Sequence, residues 1–208
     1  MSEEREGRRG ILLAFVGPSG AGKSSLCREL MGDYTELGFS VSYTTRAPRG
    51  QEQDGVEYHF VTATTFMAMV ERGEFVEYAK VHGNLYGTRL STVEAALSEG
   101  RDLLFDIDYQ GALLLKKSLP ETIGVMVLPP SVQVLETRLR GRETDTEAVI
   151  LRRLEMARTE MSQLDKFDYF VINDEFKKAY SDVNAIYRAS RSRVGYEDES
   201  LRGHLGIE

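Results

Sequence analysis

An apolar run at residues 11–16 passes directly into Gly17-Pro18-Ser19-Gly20-Ala21-Gly22-Lys23-Ser24, and a helical pattern starts at Lys23. The segment satisfies G-x-x-x-x-G-K-[ST] in the setting that gives this spacing meaning, a buried strand before it and a helix after it. Glycines let successive backbone N–H groups converge on phosphate oxygens without interference from Cβ. The start of the helix adds the positive end of its dipole. Lys23 is placed to neutralise β- and γ-phosphates, and the Ser24 hydroxyl to ligate Mg²⁺. A chain that opens this way is committed to a parallel sheet with helices on its faces. It is also committed to a nucleoside triphosphate, though not to what is done with it.

The rest of the chain fits that commitment. Its 208 residues, 41% hydrophobic and 28% charged, suit one domain with a sizeable core. Short apolar runs alternate with helical patterns and predict an α/β fold. Strands are expected at 102–107, 122–128 and 169–173. Helices are expected at 64–72, from a Ser91-Thr92-Val93-Glu94 capping box to Gly100, at 131–140, from a Thr144-Asp145-Thr146-Glu147 capping box along Ile150, Leu151, Leu154, Ala157, Met161 and Leu164, and from the last strand to about Val194. Between residues 39 and 90 the pattern changes. Strand-like pieces at 39–42, 57–61 and 75–81 predict a small β-rich insertion.

Some function classes are disfavoured. No apolar run approaches the length of a membrane span, and the charged residues 2–9 do not read as a signal peptide. The single Cys27 forms no internal disulfide and suits a reducing cytoplasm. With three histidines and one cysteine, a zinc site of the usual spacing is not expected. A net charge of −7 speaks against a nucleic-acid-binding surface, but a few arginines in a cleft can still collect small phosphorylated ligands.

A second constellation follows the phosphate loop. Ser42-Tyr43-Thr44-Thr45-Arg46-Ala47-Pro48-Arg49 places two arginines in a turn, and guanidinium forks suit bidentate phosphate recognition. Glu57-Tyr58-His59-Phe60, Phe75-Val76-Glu77-Tyr78 and Gly83-Asn84-Leu85-Tyr86-Gly87-Thr88 come next. After them stand Asp106-Ile107-Asp108-Tyr109-Gln110-Gly111 and Arg138-Leu139-Arg140-Gly141-Arg142. The two aspartates alternate, which on a strand would point both to one face, at the strand end where open α/β sheets hold ligands.

These motifs, in this order from about residue 11 to 185, resemble the guanylate kinase family, and its bacterial enzymes in particular. The resemblance implies a P-loop core at about 9–38, 90–135 and 155–192. It further implies a GMP-binding insertion at about 39–89, a lid at about 136–154 and a tail at 193–208. The implied reaction moves the γ-phosphate of ATP to GMP, and to dGMP, with Mg²⁺. Donor binding falls to Gly17, Pro18, Ser19, Gly20, Ala21, Gly22, Lys23, Ser24 and Ser25, with Arg142 and Asn173. Acceptor binding falls to Ser42, Arg46, Arg49, Tyr58, Glu77, Tyr86, Thr88 and Asp108. Lys23, Arg46, Arg138, Arg142 and Arg153 would act on the transferring phosphoryl group. Ser24, and Asp106 through water, would hold the metal. Arg140 and Arg152 are left as solvated neighbours.

The assigned chemistry is coherent. Guanine offers N1–H and N2–H₂ donors beside O6, so a Glu77 carboxylate accepts both while the Ser42 hydroxyl donates to O6. Adenine would leave Glu77 unpaired. The acceptor phosphate is already largely ionised at neutral pH, so no general base is required. Alignment and charge neutralisation carry the step. The chain departs from the family pattern at Tyr43, Leu85, Glu143 and Ala148, none of them an assigned ligand. Two alternatives stand beside this reading: a non-catalytic binding module of the same shape, and a kinase for a phosphorylated sugar. No N-K-x-D motif supports a GTPase. The sequence leaves monomer or homo-oligomer open.

Overall fold

A computed structural model describes residues 9–81, 83–141, 146–194 and 205–206. Five parallel strands form the main sheet: β1 (Leu12–Val16), β2 (Gly38–Phe39), β7 (Leu103–Asp106), β8 (Ile123–Leu128) and β9 (Tyr169–Ile172). Their order is β2-β7-β1-β8-β9. The central strand β1 is buried along its whole length and sends alternate residues to opposite faces. Leu13 and Phe15 pack with Leu26 and Leu30 of helix α1 (Lys23–Asp33) and with Val183 and Tyr187 of helix α7 (Phe176–Arg191). Leu12, Ala14 and Val16 pack with Val93 of α3 (Leu90–Ser98) and with Ala112 and Leu115 of α4 (Tyr109–Ser118). Each of the buried Leu, Val and Phe side chains contributes roughly 1.5–3 kcal/mol relative to exposure. Asp102 locks the two ends of the chain onto this core. Its carboxylate accepts the Ile11 N–H at 2.8 Å and the Tyr187 hydroxyl at 2.7 Å.

A second sheet, in the order β4-β3-β6-β5, is built from β3 (Tyr43–Thr44), β4 (His59–Phe60), β5 (Phe75–Val81) and β6 (Asn84–Arg89). Helix α2 (Ala63–Glu71) buries Phe66, whose ring stacks on Phe75 at 4.5 Å. Helices α5 (Val132–Arg140) and α6 (Glu147–Met161) close a smaller cluster of Leu135, Leu139, Ile150, Leu154 and Ala157.

Several expectations change. Phe39 pairs with Leu104 in the main sheet, so that strand piece belongs to the core. The Gly83–Thr88 motif supplies most of β6, because its backbone pairs with both β3 and β5. Helix α3 begins at Leu90 with Arg89 as its N-cap and no side-chain cap, so Ser91 lies inside it. Helix α6 starts at Glu147 after Thr146 and stops at Met161, and Leu164 falls in a separate 3₁₀ turn. Thr144, the other half of the capping box read there, lies outside the described residues.

Candidate active site

The strand ends set the site. In β1 and β7, Phe15 is level with Asp106, and in β8 and β9, Leu128 is level with Ile172. Gly17, Asp106 and Asn173 therefore meet at one edge of the sheet. Gly17 has φ 134°, and a Cβ there would stand 2.1 Å from the Val127 carbonyl oxygen. Gly22, at φ 93°, is the N-cap of α1, and a Cβ on it would strike the Asn173 amide at 2.2 Å. Both glycines are thus demanded by close backbone approach as well as by φ.

Around the loop, the Lys23 ammonium donates to the Gly17 carbonyl, and the Ser24 hydroxyl donates to Asp106 at 2.6 Å. The Asn173 side chain donates to the Ala21 carbonyl at 2.7 Å, while the Asn173 backbone carbonyl accepts from Arg138 at 2.8 Å. The Pro18 carbonyl accepts the Ala21 N–H.

A cleft of about 380 Å³ opens between the loop and the second sheet. Gly17, Ser19, Gly20, Gly22, Lys23, Ser24 and Ser25 line one side, and Ser42, Tyr58, Glu77 and Tyr86 line the other, with Asp106 and Asp108 between. Asp108 is not on a strand with Asp106, as the alternation had suggested. β7 ends at Asp106, and Asp108 is the N-cap of α4, accepting the Gly111 N–H at 2.9 Å. Helix start and ligand edge coincide because the chain turns at once into α4.

Glu77 is buried, 7% exposed, on β5 directly opposite Thr88 of β6. Its carboxylate accepts the Thr88 hydroxyl at 2.6 Å. Burial pushes its pKa up to about 7, the Thr88 hydroxyl opposes that, and the nearby Asp108 adds to it. Burial likewise pushes Tyr58 up to about 12, so its phenol stays a hydrogen-bond donor at neutral pH. Thr88 and Arg46 stand behind the cleft wall. Arg46 lies over the rings of Tyr58 and Phe60 at 5.2 and 5.7 Å. Arg49 is exposed in the turn that follows. Arg153 is half-buried on α6, and Arg142 lies outside the described residues.

Two carboxylates escaped the sequence reading. Glu52 grips Arg46 through two oxygens at 2.9 Å each and also takes the Arg49 N–H at 2.7 Å. Arg46 in turn holds the Glu52 carboxyl below its usual range. A turn acid three residues after Arg49 was the available signal. Glu160 enters the cleft from α6, seven positions after Arg153 and hence on the same helix face. That spacing was its only trace. Arg140 is exposed, as expected, and also binds Glu136 at 2.8 Å and Glu147 at 2.7 Å, joining the end of α5 to the start of α6.

The arrangement can hold two phosphate-bearing groups, one on backbone N–H groups and a lysine, the other on an arginine and two phenols. The buried Glu77 carboxylate also faces this cleft and can accept paired N–H donors. The metal expectation is chemically consistent with hard oxygen donors Ser24 and Asp106 already in contact. Such a pair suits a cation that keeps waters and phosphates as its remaining ligands. Comparisons agree with this geometry. The family model described as guanylate kinase matches residues 8–190. A guanylate kinase of Syntrophotalea carbinolica is 48% identical over 187 residues, covering 90% of this chain and 89% of the relative. One from Myxococcus xanthus is 44% identical over 199 residues, covering 95% of each. The crystal structure of guanylate kinase from Anaplasma phagocytophilum superposes with a TM-score of 0.80 at 27% identity, covering 96% of this chain and 95% of that one.

Proposed function

The chain belongs to the guanylate kinase family, it is an ATP:GMP phosphotransferase, and we propose how its own residues carry the γ-phosphate of ATP to GMP. The observation that carries the proposal is Glu77: a buried carboxylate facing the same cleft as the phosphate loop. Ionised Glu77 accepts the N1–H and N2–H₂ of guanine, Thr88 holds the carboxylate in place, and Ser42 donates to O6. At the other end of the nucleotide, Arg46, Arg49, Tyr58 and Tyr86 hold the GMP phosphate. A dianionic phosphate exchanges for, or shares, the fork that Glu52 occupies on Arg46.

On the donor side the loop N–H groups and Lys23 take the β- and γ-phosphates, and Lys23 leaves the Gly17 carbonyl to do so. Ser24 and Asp106 would hold Mg²⁺, which supplies charge neutralisation at the phosphates. Arg138 and Arg153, with Arg142, neutralise the equatorial oxygens as the phosphoryl group moves. Asp108 shapes the acceptor side. The reaction takes place in a cytoplasmic enzyme acting on free nucleotides rather than nucleic acid. No helix among the described residues is long and apolar enough to cross a membrane.

The test is ADP formation from Mg-ATP with GMP, AMP or no acceptor, run beside Glu77→Ala. Turnover with GMP alone is expected, with kcat/KM for GMP lowered by about 10²- to 10⁴-fold in the variant. Equal ADP release without acceptor would make the protein an ATPase. GMP binding without turnover would make it a binding module.

A further inference from the structure

Arg46 is a buried cation, 8% exposed, in the turn after β3. Its guanidinium carries five N–H donors in one plane. Nη1 donates to the Ala47 carbonyl at 2.8 Å and lies 2.9 Å from Glu52 Oε2, while Nη2 donates to Glu52 Oε1 at 2.9 Å. Glu52 thus covers the end of the fork. The side of the plane, where Nε–H and the second Nη2–H point the same way, is another bidentate donor set that Glu52 does not use. The guanidinium lies over the Tyr58 ring at 5.2 Å, and Tyr58 lines the cleft. Glu52 is itself fixed in the turn. The Arg49 N–H donates to its Oε2 at 2.7 Å, and its own N–H donates to the Arg49 carbonyl at 3.0 Å.

We infer that Glu52 is a positioning residue for the acceptor phosphate: it holds the end of the Arg46 fork and the backbone of Arg49, so that the phosphate takes the side edge of Arg46 and does not displace the carboxylate. The inference rests on the kinase reading and decides how the phosphate and Glu52 divide one guanidinium. Displacement would leave an ionised carboxylate without its cation beside a dianion, and like charges a few ångströms apart repel. Sharing sets Arg46 between the two anions instead. It also fixes the guanidinium before the nucleotide arrives. Without Glu52, Arg46 regains rotamer freedom that the phosphate must then remove.

Glu52→Ala and Glu52→Gln are compared with the wild type by calorimetric binding of GMP and of guanosine, which has the same base and sugar but no phosphate, and by steady-state kinetics. In Glu52→Ala, Kd for GMP is expected to rise about 10- to 100-fold, with guanosine changed by less than about threefold. KM for GMP should rise with it, while KM for ATP stays within about twofold. Glu52→Gln keeps one acceptor oxygen and should fall between; if the alanine variant does not fold, the glutamine variant decides on the same readouts. Tighter GMP binding in either variant would overturn the inference, because the carboxylate would then compete with the phosphate. Unchanged GMP binding, or equal weakening of GMP and guanosine, would overturn it as well. A wild type that forms no GMP-dependent ADP would remove the kinase reading, and the ratio of the two affinities would still decide the role of Glu52.

Discussion

At Glu77 the two demands on one side chain pull apart. The fold favours its neutral form, because burial raises its pKa to about 7 from the ordinary glutamate value of 4.5. Guanine recognition needs the ionised form. A raised carboxyl stabilises the fold below its unfolded pKa, and that contribution is lost as pH rises through about 7. The displacement is worth roughly 3 kcal/mol. Unliganded Glu77→Gln is therefore expected to gain stability over the wild type between pH 5 and 8, read as a growing difference in denaturant midpoint. A constant difference would mean that Glu77 does not titrate in this range. The substrate shows the opposite sign. Lowering pH from 8 to 6 should weaken GMP binding about tenfold beyond what GMP's own phosphate titration causes. Glu77→Gln, which shares the phosphate titration, should lack that extra dependence in calorimetry.

Gly111 shows how closely a helix and a sheet meet to build the site. A Cβ on it would stand 3.1 Å from Glu77 Oε2 and 3.2 Å from Asp108 Oδ1. Alanine would improve the propensity of α4 by up to about 1 kcal/mol. The same methyl presses on the base-selecting carboxylate. Gly111→Ala is expected to keep or slightly raise the melting temperature while KM for GMP rises roughly threefold to tenfold. An unchanged KM would show that β5 slides away from α4 without loss. Elements of this kind divide what the sequence disclosed from what it hid. Gly17 and Gly22 were readable because their roles are local, dictated by a loop that must turn and approach its neighbours within a few residues. Arg46, Glu77 and Thr88 were readable through motif order, although only the β5–β6 register explains why Glu77 and Thr88 touch. Asp108 was misplaced because alternation says nothing of where a strand stops and a helix begins. Glu52 and Glu160 were hidden. Nothing beside Glu160 in sequence announces the cleft it lines, which α6 reaches only once it has packed on α5.

Across the whole molecule the two sheets are joined unevenly. β5 leans on α4, where Val76 packs against the core cluster and the Ser118 hydroxyl donates to the Val76 carbonyl at 3.1 Å. β4 lies at the opposite edge of that sheet, and with it are Tyr58, Glu52 and the turn that carries Arg46 and Arg49. With the roles proposed for Glu77 and Arg46, a nucleotide in the cleft would have its base beside the fixed edge and its phosphate beside the free one. Closure on GMP is expected to hinge about β5 and α4 and to swing residues 43–60 toward Lys23. Amide exchange with and without saturating GMP measures this. Protection should increase chiefly in residues 43–60, with β5 changed by less than about twofold. Saturation at 100 times Kd should stabilise the chain by about 2.7 kcal/mol, a rise of about 5–11 °C for a protein of this size. Equal slowing in β4 and β5 would mean the second sheet moves as a block, and the contacts of Val76 and Ser118 would then be the ones that break.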